Sequence, residues 1–174
     1  KRHSDTIKYK EYLNRLGFGN ILVTNYYGDF TEKKVKEFQR YYGLVDNGII
    51  DDRTSAKLNE VMNSPYQEGN RHEDLIDIKK KLNRLGFGNI TVTTLFGSFT
   101  EKKVKEFQSY YGLAENGIVD EITLAKLNSL MAKGFKQGDR NKGMLNLKKD
   151  LNKLGFGKIT VTTYFGTFAE KKVK

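Results

Sequence analysis

The ten residues FTEKKVKEFQ run from Phe30 to Gln39 and recur without a change from Phe99 to Gln108. A shortened version, FAEKKVK, starts at Phe168. The period is 69 residues: Phe18, Phe87 and Phe156 each lie in an LGFG tetrapeptide. Between Gly17–Met62 and Gly86–Met131, 32 of 46 positions are identical. Self-similarity at a fixed period is the mark of an array, so one repeat is the unit to be folded.

Each copy divides into three helical patterns separated by glycines. The first runs near Asp74–Leu85, with Leu75, Ile78, Leu82 and Leu85 recurring at the spacing of one helix face. Met144, Leu147, Leu151 and Leu154 repeat that stripe in the third copy. Gly17, Gly86 and Gly155 follow, where a left-handed terminating residue is wanted. The opening string is the second helix. Thr31 is placed as its N-cap, Phe30 and Val35 as a hydrophobic staple, and Gly43 as its left-handed stop with Leu44 folding back on Phe38. The third helix starts at Asp51 or Asp52 and runs to about Met62, burying Leu58, Val61 and Met62. Between helices one and two, NITVTT (Asn89–Thr94) alternates with period two and is expected to be extended. Asn47–Gly48 and Asn116–Gly117 are tight-turn dipeptides, with room for short paired strands.

The fold expected is mainly α: tandem small three-helix domains with short extended or β turns between the helices. The units are residues 1–64, 69–133 and 138–174, the last holding only helix one, the loop and the start of helix two. SPYQEGN (Ser64–Asn70) and AKGFKQGD (Ala132–Asp139) read as linkers. The chain opens on Lys1 and breaks off inside a repeat, so it reads as a processed product or a piece of a longer parent.

The net charge of +10 invites a nucleic-acid reading, but the charge is unevenly spread. Residues 1–69 carry +1 and residues 70–138 carry +3, while the incomplete copy carries +6. Near-neutral complete repeats argue against a polyanion reader. Zero Cys excludes disulfides and thiolate metal sites. No apolar run is long enough to span a membrane. His3 and His72 sit in equivalent linker positions and form neither a metal site nor a base–nucleophile pair. Asp51, Asp52, Asp120 and Glu121 read as helix-start residues rather than a carboxylate pair. No catalytic residue, metal or cofactor is expected.

The ordered set LGFG, FGSFTEKKVKEFQ (Phe96–Gln108), YGL (Tyr111–Leu113), NGIVD (Asn116–Asp120), Thr123 and Leu127 resembles the peptidoglycan-binding domain of the type 1 family. The first copy supplies YGDFTEKKVKEFQ (Tyr27–Gln39), YGL (Tyr42–Leu44), NGIID (Asn47–Asp51), Thr54 and Leu58. Two departures are visible: the family's Asp-Gly turn is Asn-Gly here, and Ala169 replaces the expected capping Thr in the third copy. The resemblance implies a small three-helix module that binds peptidoglycan, glycan or stem peptide, in a shallow groove near helix two. It further implies a secreted, wall- or spore-associated bacterial protein, with a hydrolase domain possible in the parent. Duplication would then supply avidity on a repeating polymer.

The candidate ligand residues are Tyr26, Gln39, Tyr41, Asn47, Phe96, Gln108, Tyr110 and Asn116. Aromatic faces suit sugar C–H surfaces, and tyrosine hydroxyls and amides suit peptide groups. Tyr41 and Tyr110 fall off the Val35–Phe38–Tyr42 face and are expected to be the exposed members of their pairs. Gln39 and Gln108 are equally suited to holding a loop backbone. Two rival readings stand beside this one: a self-assembling repeat whose incomplete copy is completed by a neighbouring chain, and a nucleic-acid or polyanion binder.

Overall fold

The computed structural model describes residues 5–134, 142–156 and 158–164, apart from the side chain of Lys133. It holds helices α1 (Asp5–Arg15), α2 (Asp29–Tyr41), α3 (Asp52–Met62), α4 (Asp74–Arg84), α5 (Ser98–Tyr110), α6 (Glu121–Lys133) and α7 (Gly143–Lys153). The first two repeats take three helices each, and α7 is helix one of the third.

Helix ends follow the local chemistry. Gly43 has φ 68, Gly43 N donates to Arg40 O at 3.2 Å and Leu44 N donates to Gln39 O at 2.7 Å, a complete Schellman ending. Gly17, Gly86 and Gly155 close helix one of each copy in the same way. Asp51 and Asp120 cap α3 and α6, accepting from Thr54 N and Thr123 N at 2.8 Å.

The start of helix two corrects the expectation. Helices α2 and α5 begin at Asp29 and Ser98, with Gly28 and Gly97 in the cap position and no side-chain cap. Thr31 lies inside the first turn and is buried. Phe30 therefore sits one residue past the helix start, where its ring points outward, and no staple with buried Val35 forms. Ala169, whose replacement of a capping Thr was expected to matter, lies outside the described residues.

The Asn89–Thr94 segment forms no strand. Asn83 bonds both backbone groups of Ile90 at 2.8 Å, and Lys79 Nζ takes the carbonyls of Thr91 and Leu95 and the hydroxyl of Thr93. Side chains thus satisfy the backbone that a neighbouring strand would otherwise pair. Ile90 is buried, but Val92 is exposed, so the alternation does not mark one buried face. Among the described residues, the β-type pairing is a lone antiparallel bridge between Arg71 and Leu95.

Two main apolar cores result. One gathers Leu75, Ile78, Leu82, Phe87, Phe96, Val104, Phe107 and Leu127 of the second repeat. The other gathers Leu13, Leu16, Val35, Phe38 and Leu58 of the first and also takes in Ile118, from the second. Met62 is only partly buried at its margin. A smaller cluster of Met144, Leu151 and Ile159 lies under α7, which packs against α4. Leu154, the last residue of the expected apolar stripe, is exposed. The stretch expected to be a linker is tied down: Tyr66 packs on the second core, and Gly69 N bonds Phe96 O at 2.8 Å.

The first two repeats pack through unlike surfaces. The turn Ala114–Ile118 of the second fits the corner of the first formed by Arg15–Phe18, Tyr41 and Tyr42. Arg15 Nη1 donates to Asn116 O at 2.5 Å, Tyr42 OH donates to Asp120 Oδ2 at 2.6 Å, and Ala114 N donates to Tyr41 OH at 3.3 Å. Lys57 reaches Glu121 at 3.2 Å. On the second repeat, the corresponding corner meets the start of α7. A Cβ on Gly86 would lie 2.6 Å from Lys142 C, and the Lys142 ammonium sits 4.9 Å from the Phe87 ring centroid and 5.4 Å from that of Tyr110.

Candidate functional site

The outward-pointing phenylalanine at the start of helix two builds the same small surface in both complete repeats. Phe30 and Phe99 are 54% and 51% exposed. One turn later, the Lys34 and Lys103 ammoniums stand 5.6 and 5.3 Å from the two ring centroids. Each lysine is fixed by a carboxylate three residues on, Lys34 to Glu37 at 2.7 Å and Lys103 to Glu106 at 2.9 Å. Gly19 and Gly88 lie under the lysine stems: an added Cβ would meet Lys34 Cε at 3.0 Å or Lys103 Cδ at 3.1 Å. An aromatic face with a pinned cation beside it is suited to a ligand carrying both C–H surface and carboxylate.

Tyr26 extends this edge in the first repeat. It is 58% exposed, and its ring covers Gly28, where any Cβ would lie 2.6 Å from Tyr26 Cε1. Its counterpart in the second repeat is Leu95, more aliphatic and less exposed. Along α5, Glu101, Lys102, Lys105, Glu106 and Ser109 line an open groove together with Glu115. That groove carries both signs of charge.

The remaining candidates are distributed differently. Gln39 and Gln108 are fully buried at the hub of the Asn-Gly turns. Gln39 Nε2 donates to Asn47 Oδ1, Ile49 O and Thr54 Oγ1, while Gly48 N donates to Gln39 Oε1 at 2.8 Å. Gln108 makes the matching set with Asn116, Ile118, Thr123 and Gly117. With every polar atom engaged, these amides shape the turn rather than face solvent. Phe96 is fully buried in the second core. Asn116 is buried between repeats, whereas Asn47 is exposed.

The tyrosine pairs correct a further expectation. Tyr110 is 44% exposed, but Tyr41 is half-buried against the second repeat, because the Ala114–Ile118 turn covers it. Burial first, and then the Asp120 charge, push the Tyr41 hydroxyl up to about 12. Tyr27 is likewise pushed to about 12 by burial, then by Glu32, and its hydroxyl donates to Gly48 O at 2.6 Å.

A set of buried ammoniums escaped the sequence reading. Lys10, Lys79 and Lys148 are 3%, 2% and 4% exposed, one at the same position of each repeat. Lys10 Nζ donates to Leu22 O and Thr24 Oγ1 at 3.1 Å and to Tyr26 O at 2.6 Å. Lys148 holds Thr162 and Tyr164 in the same fashion. Burial lowers the pKa of each below the usual lysine value. The clamp fixes the loop that carries Tyr26, so it positions the aromatic edge. A lysine immediately after Ile78, within the apolar stripe of α4, was the available signal.

His72 lies beside Tyr66, with their ring centroids 5.1 Å apart, and its Nδ1 accepts from Asp74 N at 3.2 Å, a helix-start role. His3 lies outside the described residues. Among the described residues, no group of three or more His, Cys, Asp or Glu side chains could hold a metal ion, and no helix is long and apolar enough to cross a membrane.

Comparison with known sequences adds to this geometry. The family profile described as "Putative peptidoglycan binding domain" matches residues 2–58 and again 71–127. The chain is also similar to a protein named N-acetylmuramoyl-L-alanine amidase CwlM from Mycobacterium tuberculosis (strain ATCC 25618 / H37Rv), being 29% identical over 113 residues. That alignment covers 59% of this chain and 27% of the relative, so the chain spans about a quarter of that protein's length. No solved structure matches it.

Proposed function

We propose, from the premise that the chain belongs to the peptidoglycan-binding domain family, that its repeats hold peptidoglycan without cleaving it. Two matched stretches of the chain make it a tandem wall-binding protein in outline; the finer reading concerns how it holds on. The observation that carries this reading is the recurrence, in both complete repeats, of an exposed phenylalanine beside a pinned lysine. Sugar C–H faces pack on Phe30 and Phe99, and stem-peptide carboxylates meet Lys34 and Lys103. Tyr26 borders this edge in the first repeat, and Tyr110 packs edge-on against Phe87 with the Lys142 ammonium beside it. Gln39 with Asn47 and Gln108 with Asn116 shape the Asn-Gly turns that follow helix two, and Phe96 fills the second core.

Each site is small and open, so a single repeat binds weakly. Units 1–64 and 69–133, with 138–174 contributing its own Tyr164 edge, are joined on one chain and raise each other's effective concentration on a polymer. Such a chain serves as the wall-targeting part of a secreted, wall- or spore-associated bacterial protein. The likeness to part of a protein named as an amidase supports a linked catalytic domain in the parent.

The test is co-sedimentation with insoluble peptidoglycan stripped of teichoic acids, at low and at raised salt. Binding that persists at raised salt, falls with Phe30→Ala or Phe99→Ala alone and is lost in the double variant is the expected result. No co-sedimentation, or loss on a modest rise in salt, overturns the reading, since polyanion-type binding is the salt-sensitive kind.

A further inference from the structure

The two complete repeats differ at one ion pair. In the first, Arg40 near the end of α2 reaches across to the turn that follows, and its Nε and Nη2 donate to Asp46 Oδ2 at 3.1 and 2.9 Å. In the second, the acid is kept as Glu115, but Ser109 stands in place of the arginine. A serine carries no charge and is too short to cross to the turn. Ser109 and Glu115 instead both line the open groove along α5, which has a volume of about 430 Å3.

Two of the three carboxylates in that groove are taken. Glu101 holds Lys105 at 3.1 Å with Arg15 at 3.7 Å, and Glu106 holds Lys103 at 2.9 Å. Glu115 has no ion-pair partner among the described residues, and neither has Lys102. The Glu115 side chain is exposed, but its backbone is fixed against the first repeat. A Cβ on Gly17 would lie 3.4 Å from Glu115 N, and the next carbonyl, Asn116 O, accepts from Arg15. Holding a charge in place before binding lowers the ordering cost of using it. The matching surface of the first repeat stays open with the second repeat docked beside it, since the Arg40 and Asp46 side chains are 67% and 50% exposed. A neighbouring repeat therefore does not fill this position.

We infer that the groove of the second repeat takes a ligand ammonium, seated against Glu115 where Arg40 seats its guanidinium against Asp46 in the first. Lys102 is available for a carboxylate of the same ligand. This rests on the wall-binding reading above and narrows its ligand to the stem peptide, engaged through the free amine of a diamino acid. Glu106 lines the groove and also pins the Lys103 that stands beside Phe99, so the groove and the aromatic edge are continuous. One saccharide-peptide unit can lie across both. The first repeat, with Arg40 in place, binds without reading the amine.

Two preparations of insoluble peptidoglycan test this, one untreated and one with its free amines acetylated by acetic anhydride in bicarbonate. Depletion of the 174-residue chain from solution is measured on both at one salt concentration. The expected result is binding about three- to fivefold weaker on the acetylated wall, the size of one exposed ion pair. Unspecific attraction works in the opposite direction, because acetylation leaves the wall more negative and the chain carries +10. Ser109→Arg, which rebuilds the pair of the first repeat, and Glu115→Gln should each bind both preparations alike, at the level of wild type on the acetylated wall. A substitution that only weakened the fold would lower binding to both preparations and keep their ratio. Wild type that does not prefer the untreated wall, or variants that keep the wild-type ratio, overturn this inference and leave wall binding intact. No binding to either preparation overturns both readings.

Discussion

Asn47 and Asn116 occupy the same place in two turns, VDNGIID and AENGIVD, that share their Asn-Gly-Ile centre. Their geometry is common: Gly48 and Gly117 both have φ 74, and each turn hangs on a buried glutamine. Their surroundings are opposite. The first turn meets solvent, while the second is pressed into the neighbouring repeat. Local sequence sets the form of such a turn, and position along the array sets whether it is surface or core.

The largest difference between the two turns is expected from a charge placed at the centre of each. Ile118→Asp buries a carboxylate without a partner and is expected to cost more than about 4 kcal/mol, whereas Ile49→Asp stays within about 0.5 kcal/mol. Urea unfolding of both variants decides it; equal losses would mean that the contact between repeats is not formed in solution. Next in size, Gln39→Ala and Gln108→Ala should each cost about 2–3 kcal/mol by stranding buried turn groups. Their near-equality is the point, because that hub lies inside each repeat. A gap wider than the scatter of repeat measurements would show that the two turns are not built alike.

Smaller still is Tyr42→Phe, which removes the donor to Asp120 and is expected to cost about 1.5 kcal/mol. Burial, then the Asp120 charge, hold the Tyr42 hydroxyl far above its ordinary pKa of 10.0. A raised folded pKa contributes stability in full below the unfolded pKa. The unfolded tyrosine ionises as pH rises through 10 while the folded one does not, so that contribution declines from there upward. The wild type should therefore lose stability above pH 10 more steeply than the Phe variant; parallel curves would remove Tyr42 from the contact.

Local rules made much of this molecule legible from its letters. Helix stripes, the glycine stops after Asn14, Asn83 and Asn152, and the aspartate caps each depend on a few adjacent residues. What escaped the sequence depends on distant ones. Tyr41 and Tyr110 sit in nearly identical strings, and only the turn that arrives from the next repeat covers one of them. Thr31 looked like a cap because Ser and Thr usually are, but Gly28 already supplies the extended residue at the helix start. The alternation of NITVTT suggested a strand because side-chain partners for its backbone, Lys79 and Asn83, lie seven or more residues upstream. A lysine in an apolar stripe is ordinarily assigned to solvent, which hid the clamp altogether.

That clamp also gives each repeat a chemical reporter. An amine-reactive reagent modifies exposed lysines readily, but Lys10, Lys79 and Lys148 lie beneath their loops with their protons shared among oxygens. Mass-spectrometric labelling should leave these three unmodified while the loops hold. When one repeat opens ahead of the others, its own lysine should be the first of the three to react.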